Sequence, residues 1–204
     1  MTRFEMKSAA KERLGNKIFN NTWLYAVLIM FVFSALETAA GAIIVGAGLL
    51  VLTGPMSYGR AFVFLRNARD GSQPDISDLF RGFRDDLGGT MLLGLMSSIF
   101  ITLWSLLLII PGAVKTYAYS FAYYLKIDHP EYDWRTCLHE SERLMKGHKW
   151  DLFVLDLSFI GWEIVGSLCL GVGTFWVSAW RQAANAQFYQ SVIYSPCALN
   201  EAEQ

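Results

Sequence analysis

The chain has 204 residues, a formal net charge of −1 and three cysteines. Hydrophobic residues make up 53% of it and charged residues only 17%, whereas soluble domains carry about 25% charged residues. The near-neutral charge argues against nucleic acid as a partner. The cysteines are far apart and form no CxxC pair, so they predict neither a disulfide framework nor a zinc site. Long uncharged runs predict an all-α, polytopic membrane protein with about six transmembrane helices and additional cytoplasmic interfacial helices.

The N-terminal segment, residues 1–17, is predicted to form an amphipathic helix at the membrane surface. Its positive charge comes from residues that include Lys7 and Lys11, as is common in helices that lie at a membrane interface. It is not predicted to be a cleavable signal, because the following apolar run is too long and no small-residue cleavage pattern closes it.

The first two membrane spans are predicted at residues 22–38 and 42–65. A short run of small residues, 39–41, is predicted to form the turn between them. Gly54 and Pro55 interrupt the second span, so close helix packing and a kink are expected there.

The middle of the chain is predicted to contain an interfacial helix at residues 74–87, followed by two spans. Gly88 and Gly89 separate this helix from the third span, 90–110, which Pro111 is expected to end. The fourth span is placed at residues 113–127. Its length corresponds to only about 22 Å of helix, so it is the shortest of the six.

The last part of the chain is predicted to hold a second interfacial helix, residues 134–148, and a closing hairpin. The hairpin spans are 152–170 and 174–193, with Gly171 in the turn between them. A polar tail, 195–204, follows. Together these elements predict three hairpins in a single integral membrane domain that covers the whole chain.

Lysine and arginine placement predicts the orientation of this arrangement in the membrane. Five of the 17 basic residues precede the first span, five lie between Arg60 and Arg84, and five lie between Lys126 and Lys149. Only Lys115 and Arg181 fall elsewhere. Since basic residues concentrate on the cytoplasmic side, both termini and the interfacial helices are expected to be cytoplasmic.

Charged residues inside the closing hairpin form the main candidate site. Counted from the glycine turn, Glu163 and Arg181 each lie about 12 Å deep at about 1.5 Å per residue, which predicts an intramembrane pair. Asp156 shares a helix face with Glu163, and Asn185 shares one with Arg181. One interpretation is a structural lock between two helices. The other is a polar pathway for an ion, a proton or a polar headgroup, because intramembrane charges are costly.

Two further sets of charges are candidate sites. Glu37 and Lys115 are predicted either to pair near the outer face or to extend separately to the interface. A basic cluster after the second interfacial helix is predicted either to bind anionic lipid headgroups, at about 1 kcal/mol per residue, or only to anchor the cytoplasmic side. The cluster consists of Arg143, Lys146, His148 and Lys149.

Five short sequence blocks, in order along the chain, resemble an uncharacterised family of small integral membrane proteins. The family is bacterial, common in Gram-positive organisms and catalogued as a domain of unknown function. The resemblance covers residues 6–189 and implies a polytopic helical fold, distantly similar to the membrane region attached to some glycerophosphodiester phosphodiesterases. It brings no catalytic residues. The blocks are LTGP at 52–55, ISDLF at 76–80, LLLIIPG at 106–112, LMKGHKW at 144–150 and LDLSFIGW at 155–162.

Signals of catalysis are weak. The run from His139 to Arg143 is not HExxH, because arginine replaces the second histidine, and no nucleophile elbow is present. We therefore expect no catalytic residues, no metal and no cofactor. The expected function is a non-enzymatic accessory or lipid-interacting role in the bacterial cytoplasmic membrane, with lipids and other membrane proteins, or a second copy, as partners. The first alternative is a small transporter that uses Asp156, Glu163 and Arg181, and a membrane enzyme ranks third.

Overall fold

A computed structural model describes residues 3–14, 21–43, 47–107, 109–168 and 172–194, with side chains except at 3, 4, 6, 36–43, 47–52, 109–110, 168 and 172. All regular elements in these ranges are α-helices, which confirms the all-α prediction. The helices are α1 (Arg3–Leu14), α2 (Asn21–Ile43), α3 (Ala47–Asp70), α4 (Ile76–Leu79), α5 (Arg81–Arg84), α6 (Leu87–Leu107), α7 (Ile109–Ala118), α8 (Ala122–Asp128), α9 (Trp134–Leu144), α10 (Lys149–Leu168) and α11 (Val172–Ile193).

The chain divides into two compact units. The first unit comprises the described residues within Met1–Phe31, Val63–Asp75 and Trp150–Gln204. The second comprises those within Val32–Phe62 and Ile76–Lys149. The predicted tail at 195–204 lies outside the described residues.

The turn predicted at residues 39–41 is wrong, because α2 continues through it to Ile43. Two of the three residues there are alanines, which have the highest helix propensity. The helix α3 then runs beyond the predicted limit of 65 to Asp70. It ends where Gly71 adopts a φ of 65° and donates its N–H to the Asn67 carbonyl at 2.9 Å, a common glycine termination of helices.

The interfacial helix predicted at 74–87 is instead two short helices, α4 and α5, with Phe80 between them. The helix α6 starts at Leu87, so Gly88 and Gly89 belong to its first turn rather than to a separating loop. Asp86 explains the earlier start. Its Oδ1 accepts the Gly89 N–H at 2.9 Å, which satisfies one of the free amides of a helix N-terminus.

The fourth predicted span, 113–127, is wrong as a single helix, because the helix is interrupted between Ala118, where α7 ends, and Ala122, where α8 begins. The side chain of Ser141, from α9, occupies this break. Its hydroxyl donates to the Ala118 carbonyl at 2.7 Å and accepts the Phe121 N–H at 3.1 Å. Two backbone groups at the break are thereby satisfied by a residue distant in sequence. Pro111 does not end a helix either, since it lies in the first turn of α7, where proline is tolerated.

Close backbone contacts and one apolar cluster hold the second unit together. A Cβ added to Gly94 of α6 would lie 2.5 Å from the Gly54 Cα of α3, so the two helices meet at their glycines, as expected for Gly54. The cluster joins α6, α8 and α9. Its buried members are Leu93, Ala122, Cys137 and Leu138.

The first unit is built on the hairpin of α10 and α11. A Cβ added to Gly166 would lie 2.8 Å from the Gly173 carbonyl carbon. Further from the turn, the Phe159 and Trp180 rings pack edge to face with centroids 5.1 Å apart. These two contacts fix the register of the hairpin. Gly171, the predicted turn residue, lies outside the described residues.

The N-terminal helix α1 packs along α11. Ala10 and Leu14 are fully buried in this contact region, whereas Glu5, Ser8 and Lys11 are exposed. An amphipathic helix was predicted here, but not its docking on the last hairpin.

Candidate functional site

Arg181 lies between two carboxylates of the neighbouring helix. Its Nη1 donates to Glu163 Oε1 at 2.9 Å, and its Nε lies 3.6 Å from Asp156 Oδ1. The three side chains carry a formal net charge of −1. We call them the hairpin ion network.

The hairpin register explains how these side chains meet. The glycine and aromatic contacts place Arg181 opposite Ser158, so the Glu163 backbone is nearer the turn by about 7 Å at about 1.5 Å per residue. The equal depth obtained by counting from the glycine turn is therefore wrong. Side chains on a helix tilt toward its N-terminus. In an antiparallel pair, Arg181 consequently extends toward the turn and Glu163 extends away from it, and the two close the gap.

The network is partly open. The Arg181 side chain is 39% exposed, that of Glu163 36% and that of Asp156 22%. One turn beyond Arg181, the Oδ1 of Asn185 is buried and has no hydrogen-bond partner among the described residues. The arrangement can hold charge, because one guanidinium lies beside two carboxylates.

Lys115 pairs with a different carboxylate from the one predicted. Its Nζ lies 2.7 and 2.9 Å from the two carboxylate oxygens of Glu142 on α9. The hydrogen bond from this lysine is the main reason that the pKa of Glu142 lies below its usual value. The side chain of Glu37 lies outside the described residues. Lys115 thus joins α7 to α9.

The basic cluster surrounds the turn between α9 and α10. Gly147, with a φ of 83°, shapes that turn. Arg143 is engaged on its own helix, with Nε 2.8 Å from Glu140 Oε2. Lys146 is exposed, while His148 and Lys149 are half-buried.

A buried lysine was missed as a site in the sequence. The Lys126 side chain is only 6% exposed, and its Nζ lies 2.8 Å from Asp86 Oδ2. It also donates to the carbonyls of Pro130 and Tyr132 at 2.8 and 2.9 Å. The hydrogen bond to Lys126 is the largest cause of a lowered pKa at Asp86. The signal in the sequence is a lysine that directly follows the apolar, aromatic run at residues 117–125.

Comparison with known proteins found a family model that matches part of the chain. A family model described as "Protein of unknown function (DUF975)" matches residues 106–195. This range contains the hairpin ion network and three of the five sequence blocks, and it fits the expected likeness to an uncharacterised family. No curated protein and no solved structure matches the chain.

One helix among the described residues, α6, is long and apolar enough to cross a membrane. Only 22% of its most apolar stretch is buried. Leu93 of this helix is buried in the cluster with α8 and α9, whereas side chains toward its end, among them Leu103, Leu106 and Leu107, are exposed.

Proposed function

We propose that this chain is a multi-pass integral protein of the bacterial cytoplasmic membrane with a non-enzymatic, lipid-interacting accessory role. The observation that carries the proposal is the uncovered apolar surface of α6. Leu106 is 84% exposed, and Phe100, Leu103, Trp104 and Leu107 line an apolar groove with it. Such a continuous apolar surface is costly in water and stable against hydrocarbon.

The helices of the first unit support the same placement. One face of α10 packs against α11, and apolar side chains on the rest of the helix surface, including Trp162, are exposed. On α2, the exposed apolar side chains recur at helical spacing. These residues are Leu24, Leu28 and Phe31 on α2, and Leu157, Ile160, Trp162, Ile164 and Val165 on α10.

The orientation follows from the basic residues. Fifteen of the 17 concentrate around the N-terminus and the interfacial helices. Lys115 and Arg181 lie elsewhere, and the Lys115 ammonium is 5.7 Å from the Trp104 ring, near the end of α6 that faces away from the cytoplasm in this orientation. This distribution favours cytoplasmic termini, with six membrane segments of which the fourth is the interrupted pair α7 and α8.

Lipid binding is assigned to the basic turn after α9. Lys146 and Lys149 add positive charge where α10 begins. The pKa of Glu142 is lowered mainly by Lys115, burial acts in the opposite direction, and the charges of Lys149 and Lys146 lower it further. Each basic residue near an anionic leaflet contributes about 1 kcal/mol of attraction. Anionic phospholipid headgroups are the ligand class that fits.

The test is purification in native lipid particles, with identification of the lipids and proteins that remain bound. Anionic lipids should be enriched over the bulk membrane in the wild type and not in a Lys146→Gln, Lys149→Gln double variant. The matched control is Lys11→Gln, an exposed lysine elsewhere on the chain. No enrichment in the wild type, or equal enrichment in the double variant, would exclude the assignment.

A small transporter is the second candidate, and the hairpin ion network favours it. One arginine held by two carboxylates, partly open to its surroundings, is typical of intramembrane sites that move protons or ions. Proton flux into vesicles loaded with a pH-sensitive dye tests this. Flux that requires Asp156 and Glu163 would support transport, and flux equal to that of protein-free vesicles would exclude proton transport.

A further inference from the structure

The N-terminal helix α1 brings charges alongside an otherwise apolar hairpin. Glu5, Lys11 and Glu12 are exposed on it, although Ala10 and Leu14 on the same helix are buried. The question is what surrounds those charges when α10 and α11 lie in hydrocarbon.

One end of α1 is fixed near the C-terminal part of α11. Asn67 donates to the Arg13 carbonyl at 3.5 Å. Ala68, the residue after Asn67 on α3, contacts α11, because its carbonyl accepts a hydrogen bond from Gln187 at 3.4 Å. Under the proposed orientation this end of α1 is close to the cytoplasm.

The other end of α1 reaches the middle of the hairpin. Trp180 Nε1 donates to the Lys7 carbonyl at 3.1 Å. The Lys7 ammonium lies 4.1 Å from the centre of the Phe159 ring and donates to the Ser158 carbonyl at 3.2 Å. Trp180 is thirteen residues before the end of α11, about 20 Å along the helix at about 1.5 Å per residue.

Charged side chains halfway along a membrane hairpin are not stable against hydrocarbon. Lys7 meets aromatic rings and a carbonyl, and so has partners inside the protein. Lys11 and Glu12 lie on the exposed side of α1. Water is the surrounding that suits them.

We propose that α1 forms one wall of a water-filled vestibule, which opens at the cytoplasmic end of α11 and reaches the level of Trp180. Phe159, whose ring the Lys7 ammonium contacts, lies three residues after Asp156 and four before Glu163 on one face of α10, so the vestibule leads to the hairpin ion network. The two carboxylates of that network can bind protons, so protons are the solute that the vestibule would bring to it. This inference rests on the proposed membrane placement and gives the network its access route.

Two cysteine variants at one depth test the vestibule. Ser8 is exposed on α1, next to Lys7, while Leu157 is exposed on α10, next to Ser158. The hydrogen bond between Lys7 and Ser158 places positions 8 and 157 at the same depth. Position 8 lies on the polar helix α1, and position 157 lies on the apolar helix α10. Each is changed to cysteine in a chain without its native cysteines. Inverted membrane vesicles, which expose the cytoplasmic side, are then treated with a cationic methanethiosulfonate reagent.

Ser8→Cys should react at least about tenfold faster than Leu157→Cys, because only a thiol in contact with water forms the reactive thiolate. Lys11→Cys, nearer the proposed opening, is a second reporter and should also react quickly. Equal stability of the variants in the membrane ensures that the rates describe the folded protein.

The remaining outcomes separate the two proposals. If both Ser8→Cys and Leu157→Cys are slow, α1 does not face water, and the vestibule is excluded while the membrane placement stands. If Leu157→Cys reacts as fast as Ser8→Cys, the hairpin is not in hydrocarbon, and the membrane placement fails. Reaction of Ser8→Cys only in right-side-out vesicles would overturn the cytoplasmic opening.

Discussion

Glu163 and Arg181 should be energetically coupled, and the geometry also predicts that their single substitutions are unequal. Glu163→Gln leaves Arg181 with Asp156 3.6 Å away. Arg181→Gln leaves two carboxylates without their shared cation. The arginine variant should therefore lose more stability than the glutamate variant.

The size of these losses follows from the partial exposure of the pair. Measured couplings of hydrogen-bonded pairs in membrane proteins average about 0.6 kcal/mol, with a maximum of about 1.7. With a 2.9 Å contact between side chains that are each more than a third exposed, we expect coupling of about 0.5–1.5 kcal/mol. Arg181→Gln should cost about 1–3 kcal/mol, because it leaves polar groups unsatisfied.

A double-mutant cycle in one detergent mixture measures the coupling. It compares the unfolding free energies of the wild type, Glu163→Gln, Arg181→Gln and the double variant, in which two neutral amides can still bond. The matched control is a cycle on Glu140 and Arg143, an ion pair on α9 with a similar contact of 2.8 Å, where about 0.3–0.5 kcal/mol is expected. Strictly additive losses at Glu163 and Arg181, or an arginine variant no worse than the glutamate variant, would refute this account of the network.

Three further predictions concern the second unit and the hairpin. Lys126→Met should lower the unfolding free energy by about 1–3 kcal/mol, because the Pro130 and Tyr132 carbonyls and the Asp86 carboxylate lose their shared donor. The exposed Lys146→Met should change it by less than about 0.5 kcal/mol, and equal effects of the two substitutions would contradict this account. Gly94→Ala should destabilise by about 1–3 kcal/mol through overpacking, whereas Gly161→Ala, where an added Cβ meets nothing within 4 Å, should stabilise by up to about 1 kcal/mol, and both effects are read from denaturant unfolding. The lowered pKa of Glu142 gives stability that is present above the ordinary glutamate pKa and lost as pH falls through the folded value, so acid should lower the melting temperature less in Glu142→Gln than in the wild type.

Helix positions were predictable from the sequence where the pattern is local. The apolar runs and the glycines around residue 171 predicted the hairpin of α10 and α11 to within a few residues, because length and local breaks govern such elements. The charges on that hairpin identified Asp156, Glu163 and Arg181 as one group for the same reason. Seven-residue spacing places two carboxylates on one helix face.

Tertiary contacts account for the errors. The break between α7 and α8 is stabilised by the Ser141 hydroxyl, which bonds Ala118 and Phe121 from another helix, and no local pattern indicates that. The contact between Lys115 and Glu142 also joins two helices, and no local pattern in the sequence indicates it. Docking of α1 likewise depends on Trp180, far away in the chain.

Labelling of single cysteines from the outside of the cell tests the multi-pass placement most directly. The side chain of His139 on α9 is 81% exposed, and α9 is predicted to be cytoplasmic. Native Cys169 is at the predicted outer end of the span 152–170, two residues before Gly171 of the turn. A membrane-impermeant maleimide applied to intact cells should label Cys169 in a chain whose other cysteines are replaced. With Cys169 also replaced, a His139→Cys variant should be labelled only after the membrane is permeabilised. Labelling of His139→Cys in intact cells as rapid as that of Cys169 would contradict the account.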